Sequence, residues 1–131
     1  MKFLLDTNAW IKVLRGDEPA VSTRLGRQTP GDIGMSSIVL HELYFGAYRS
    51  RRVERNLDDI HALPFPVAEY GRHDALAAAE VRASLMGSGK MIGHYDVLIA
   101  GQALARGLVL VTHNVREFGR VAGLRVEDWQ G

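Results

Sequence analysis

The 131 residues, 47% hydrophobic and 24% charged, suit one soluble globular domain, expected to span residues 1–131 with a core of its own. There is no cysteine, which excludes disulfides, thiolate metal sites and a cysteine nucleophile and suits a reducing cytoplasm, the expected location. The net charge of +1 neither demands nor forbids nucleic acid, and the apolar run that opens the chain is too short for a signal peptide or a membrane span.

Lys2–Leu5 is a short apolar run ending at Asp6 and reads as a first strand. Thr7–Arg15 reads as a helix that Asp6 or Thr7 can cap and Gly16 can stop. A weaker helix over Glu18–Gln28 ends in the turn Thr29-Pro-Gly31. Ile33–Met35 is a second strand, after which Ser36 or Ser37 caps a helix that runs to about Ser50. Helix resumes over Val53–Leu63 until Pro64-Phe-Pro66, and the alanine-rich Tyr70–Met86 is the longest helix, closed by Gly87-Ser-Gly89. Asp96–Arg106 is a further helix stopped by Gly107, and Leu108–Thr112 is the clearest buried strand. A helical turn at Val115–Phe118 and a last strand near Leu124–Val126 complete the chain.

Continuous apolar strands alternating with helices imply an α/β fold, a parallel sheet covered on both faces. Ligands of such folds bind beyond the carboxyl ends of the strands. Asp6 follows the first strand, Ser36-Ser37 the second with Glu42 further along the helix, and Thr112-His-Asn114 the strand at 108–112. Each has a structural alternative. Asp6 and Asp96 can act as helix caps, and Glu42 can be a surface glutamate, although the apolar residues around it leave its helix few solvent-facing positions. Asn114 and Glu117 stand three apart on one helical turn and so share a face, unless Glu117 merely pairs with Arg116 or Arg120. Tyr44, Phe45 and Tyr48 form an aromatic stripe that reads as core packing or as a docking groove. Thirteen of the sixteen basic residues are arginine, and four of them, Arg49, Arg51, Arg52 and Arg55, form a patch that reads as a solvated face or as a phosphate contact.

Converging carboxylates raise one another's pKa unless a cation holds them. Hard oxygen donors select magnesium or manganese over zinc or copper. Such an ion can activate water and offset charge on a phosphodiester, while arginines at the rim supply attraction for RNA.

Four stretches then bear comparison with known proteins: Phe3-Leu-Leu-Asp-Thr-Asn8, Ser36-Ser-Ile-Val-Leu-His-Glu-Leu-Tyr-Phe-Gly-Ala47, Ile92-Gly-His-Tyr-Asp-Val-Leu-Ile-Ala-Gly-Gln-Ala103, and Val111 to Trp129 with its Arg-Glu-Phe and Gly-Leu-Arg-Val-Glu-Asp-Trp. In order and spacing they resemble the PIN-domain nucleases, specifically the VapC toxins of type II toxin–antitoxin systems. The resemblance implies a three-layer α/β sandwich on a short, twisted parallel sheet of about five strands. It implies a ribonuclease dependent on Mg2+ or Mn2+ that leaves a 5′-phosphate and a 3′-hydroxyl. Asp6 and Asp96 would hold the metal, and Glu42 would hold it or orient water. The fourth acidic position of the family falls on Asn114, with Glu117 as the alternative carboxylate and Thr112 as a hydroxyl contact. His94 stands where relatives often have proline and either fills space or touches RNA. The resemblance further implies a tRNA anticodon loop as substrate, a VapB-type antitoxin as partner, a homodimer, and no membrane. A housekeeping PIN-domain RNA-processing nuclease remains the alternative within the family. A haloacid-dehalogenase phosphatase would need a second aspartate where Asn8 stands. A receiver-like signalling module would need a lysine after its last strand, and the only lysines are Lys2, Lys12 and Lys90.

Overall fold

The computed structural model describes residues 1–130; Gly131, the last residue of the expected domain, lies outside the described residues. Five strands, β1 (Phe3–Leu5), β2 (Ile33–Ser36), β3 (Val67–Ala68), β4 (Val109–Val111) and β5 (Val126–Glu127), pair in parallel in the order β3-β2-β1-β4-β5. Seven helices flank them: α1 (Thr7–Arg15), α2 (Pro19–Gly26), α3 (Ser37–Tyr48), α4 (Val53–His61), α5 (Arg72–Gly87), α6 (His94–Arg106) and the short α7 (Val115–Phe118). The central strands are mostly apolar, Ser36 at the end of β2 excepted, because both faces of the sheet are covered. Leu4, Leu5, Ile33 and Leu110 are wholly buried in the core that also takes Trp10 and Phe118.

The chain leaves β1 toward β2 and β3, then crosses the whole sheet through α5 and α6 to reach β4. With right-handed crossovers this puts α1–α4 on one face and α5–α7 on the other. The reversal falls between β1 and β4, in register as Leu5 opposite Val111. The carboxyl ends of these two strands therefore flank the crevice where such sheets take ligands.

Most elements lie within a residue or two of expectation, and α1 coincides with it. β3 was not foreseen. It is two residues long, too short for a periodic signal, and follows Pro64-Phe-Pro66 at the edge of the sheet, where Pro66 accepts a hydrogen bond from the Met35 amide at 2.9 Å. β5 lies at Val126–Glu127 rather than 124–126. α6 begins at His94, two residues early, so Asp96 occupies its first turn instead of its cap, which is Gly93.

The long crossover is secured by polar groups as well as by apolar packing. Asp74 is buried and takes two hydrogen bonds from the Arg106 guanidinium, at 3.2 and 3.0 Å, and one from the Gly71 amide at 2.8 Å. Burial alone would raise its pKa, but these donors hold the carboxyl below its ordinary value. Gln102 reaches from α6 to the Ala68 carbonyl at 3.0 Å and so pins the edge strand.

Candidate active site

Asp6 sits where β1 turns into α1, at the crevice between β1 and β4. Its Oδ1 accepts the Ala9 amide at 2.8 Å, which caps α1, and its Oδ2 accepts the Thr112 hydroxyl at 2.6 Å from the end of β4. Thr112 is itself fixed, since its oxygen accepts the Asn114 amide at 2.9 Å. Burial raises the Asp6 pKa and Glu42 adds to the rise, against the lowering effect of the Thr112 and Ala9 hydrogen bonds and of His113. Capping and site membership are thus joined in one carboxylate.

Glu42 lies one and a half turns into α3. Ser36 caps that helix through the Ile38 amide at 3.1 Å, and Ser37 ties it to β3 through the Ala68 carbonyl at 3.2 Å. The two serines are therefore structural. α3 is not buried all round: Val39, Leu43 and Ala47 form one buried stripe, while Phe45 and Tyr48 are 57% and 67% exposed. The core reading of the aromatic stripe is corrected accordingly. Those rings face away from the stripe at four-residue spacing, and only Tyr44 is partly packed, its ring 5.6 Å from that of His61. Glu42 is half-buried and receives the Thr7 hydroxyl on Oε1 at 2.7 Å.

Asp96 is half-buried in the first turn of α6. Its carboxyl is pushed up to about 6 by burial first and then by the charges of Asp6, Glu42 and Glu117. These four acids, drawn from β1, α3, α6 and α7, consequently feel one another across a common crevice. Glu117 accepts a hydrogen bond from Asn114 Nδ2 at 3.0 Å, and Arg120 donates to the Met91 carbonyl instead of pairing with it. Asn114 is exposed and joins the site through Glu117. His94 is exposed at the start of α6, so it does not fill the core. Arg49, Arg51, Arg52 and Arg55 are all exposed.

Among the described residues no three Asp, Glu or His side chains close into a ready-made metal cage. The donor chemistry nevertheless fits a hard divalent cation. All the candidate ligands are oxygen, and Asp96, raised by burial first and by its acidic neighbours next, is a carboxyl whose charged form a cation would favour. Two contributors escaped sequence reasoning. Thr7 was read only as a possible cap, although its place beside Asp6 puts a hydroxyl at the same strand end. His113, which lowers the Asp6 pKa, is held by Asp128 at 3.0 Å, a pairing across fifteen residues that no local pattern announces. Beside the site, a groove of about 280 Å3 bordered by Ile11, Leu43, Gly46 and Ile60 extends to Glu42.

Comparison with known proteins adds three observations. The PIN domain model matches residues 3–124. The chain is 40% identical over 98% of both sequences to the tRNA(fMet)-specific endonuclease VapC of Shigella flexneri, and 37% identical over 98% of both to the ribonuclease VapC2 of Haemophilus influenzae. The crystal structure of DNA-bound VapBC from Salmonella typhimurium superposes with a TM-score of 0.93 at 40% identity, covering 98% of each chain, and VapBC2 from Rickettsia felis with 0.88 at 30%, covering 98% of this chain and 99% of that one.

Proposed function

The chain belongs to the PIN-domain family, among its VapC ribonucleases, and on that premise we propose that it is the toxin of a type II toxin–antitoxin pair, cutting a structured tRNA loop until a VapB-type antitoxin silences it. The observation that carries the reading is a crevice at the switch point of the sheet where Asp96 feels the charges of Asp6, Glu42 and Glu117, and Asp6 that of Glu42. Asp6 and Asp96 would hold a Mg2+ or Mn2+ ion, and Glu42 would hold it or orient the attacking water. When bound, such an ion lowers the pKa of water and offsets charge on the phosphodiester. The chain's own groups do the positioning. Thr112 and the Ala9 amide fix both oxygens of Asp6, Thr7 fixes Glu42, and Asn114 bonds to Glu117. In the hydrolysis a water oxygen bonds to phosphorus as the bond to the 3′ oxygen breaks, giving a 5′-phosphate and a 3′-hydroxyl.

The groove that ends at Glu42 suits a segment of the antitoxin, with apolar contacts along it and a basic side chain among the acids. Exposed arginines attract RNA at a distance. Among the described residues no helix is long and apolar enough to cross a membrane, and a cytoplasmic homodimer is the form in which we expect the free toxin.

The test is cleavage of the initiator-tRNA anticodon stem–loop by purified protein. Activity should vanish in excess EDTA, return with Mg2+ or Mn2+, and be lost by at least a hundredfold in Asp6→Asn, since that change removes a ligand charge of the ion. Undiminished cleavage in EDTA would sink the reading.

A further inference from the structure

Two exposed rings each precede one of the carboxylates by one residue, and the cleavage chemistry uses neither. His41 immediately precedes Glu42 on α3, and Tyr95 immediately precedes Asp96 on α6. The rings meet across the two helices, with centroids 5.6 Å apart and planes inclined at 49°. Tyr95 is 47% exposed and His41 is exposed as well, and neither belongs to the core cluster or packs against it. Core packing therefore does not account for an aromatic residue at position 95. The planes are not stacked on each other, and Tyr95 turns about half of its surface to solvent on the helix that carries Asp96. An aromatic face beside a phosphodiester site is the chemistry that takes an unpaired nucleobase, because every base has a π-face and stacking tolerates sequence.

We propose that Tyr95, braced by His41, stacks an unpaired base of the RNA next to the bond that is cut. The inference rests on the nuclease reading above and adds a reason for choosing loops: in a duplex both faces of each base are already covered by neighbours, whereas a loop base can leave its stack. Tyr95 is thus a substrate-positioning residue whose partner is a nucleobase, while the carboxylates handle the phosphate.

The experiment pairs protein variants with altered RNA. Tyr95→Leu keeps apolar bulk without the ring, and Tyr95→Phe keeps the ring. The probe is the initiator-tRNA anticodon stem–loop, intact or with an abasic nucleotide placed in turn at each loop position flanking the cut. Tyr95→Leu should raise KM about tenfold, in line with the loss of one base stack, with the loss falling on KM rather than kcat, and Tyr95→Phe should restore most of the affinity. One abasic position should cost the wild type a similar factor and cost Tyr95→Leu nothing further. A wild-type KM in Tyr95→Leu overturns the proposal, as does an abasic penalty that persists in full in that variant. Weaker inhibition by the antitoxin with unchanged KM also overturns it, by assigning the ring to that partner. Asp96→Asn, assayed alongside, separates the two levels. Cleavage surviving in Asp96→Asn removes the nuclease site itself, whereas cleavage lost there beside an unaffected Tyr95→Leu removes only the stacking role.

Discussion

One oxygen of Asp6 accepts from the Ala9 amide at 2.8 Å and the other from the Thr112 hydroxyl at 2.6 Å, so the carboxylate that caps α1 is also anchored to the end of β4. Asp96 is handled differently: burial first and then the neighbouring acids push its carboxyl up to about 6 from the ordinary 3.8. The raised value means that the folded, metal-free protein binds this proton more readily than the unfolded chain does. Its effect on stability is therefore absent below about pH 4 and becomes a full penalty above about pH 6. Asp96→Asn should accordingly raise the melting temperature of the metal-free protein at pH 8 by roughly 3 °C, from about 1 kcal/mol once solvent screening of a half-buried group is allowed for. At pH 4.5 the difference should shrink toward zero. Scanning calorimetry at the two pH values checks this, and a variant that melts lower at pH 8 would mean that the charge serves the first turn of α6 more than it suffers from its neighbours. At this scale the acids were legible, because Asp6 ends an apolar run, Glu42 interrupts an apolar helix and Asp96 opens one. Their holders were not: a threonine that orients a glutamate thirty-five residues away leaves no local trace.

The elements show where position comes from. α6 delivers Asp96 and is held against α5 at Gly101, where an added Cβ would lie 2.4 Å from the Ala78 Cα and 2.5 Å from its Cβ. The obstacle is backbone and cannot swing aside, so Gly101→Ala must push the helices apart. We expect it to destabilise the protein by about 2 kcal/mol and to lower cleavage further by displacing Asp96. Urea unfolding measures the first effect, and wild-type stability in the variant would show that the helices adapt. The helices were legible from capping residues and stop glycines, as at Asp6 and Gly16 around α1. β3 was hidden because two residues carry no period, and pairing with β2 makes it a strand. The burial of α3 was overestimated, since an apolar composition does not reveal which stripe faces the sheet.

Across the whole molecule, the order β3-β2-β1-β4-β5 brings distant segments to one crevice. Asp6 and Thr112 are 106 residues apart and share a hydrogen bond because β1 and β4 are neighbours at the switch point. Alternation of strands and helices made the parallel sheet legible, and with it the edge where such folds take ligands. Strand order was not legible, because it is set by which faces pack together once the chain has crossed over.

The central claim is that these carboxylates form one divalent-metal site, and calorimetric titration of Mn2+ tests it directly without relying on cleavage. Wild type, Asp96→Asn, Glu117→Gln and Asn114→Ala are compared at one pH. The account predicts a saturable isotherm for wild type and loss of binding by about tenfold or more in Asp96→Asn, because a carboxylate ligand is replaced by a neutral group. Glu117→Gln should weaken binding measurably and more than Asn114→Ala, since only Glu117 brings negative charge. An Asp96→Asn isotherm indistinguishable from wild type would contradict the account.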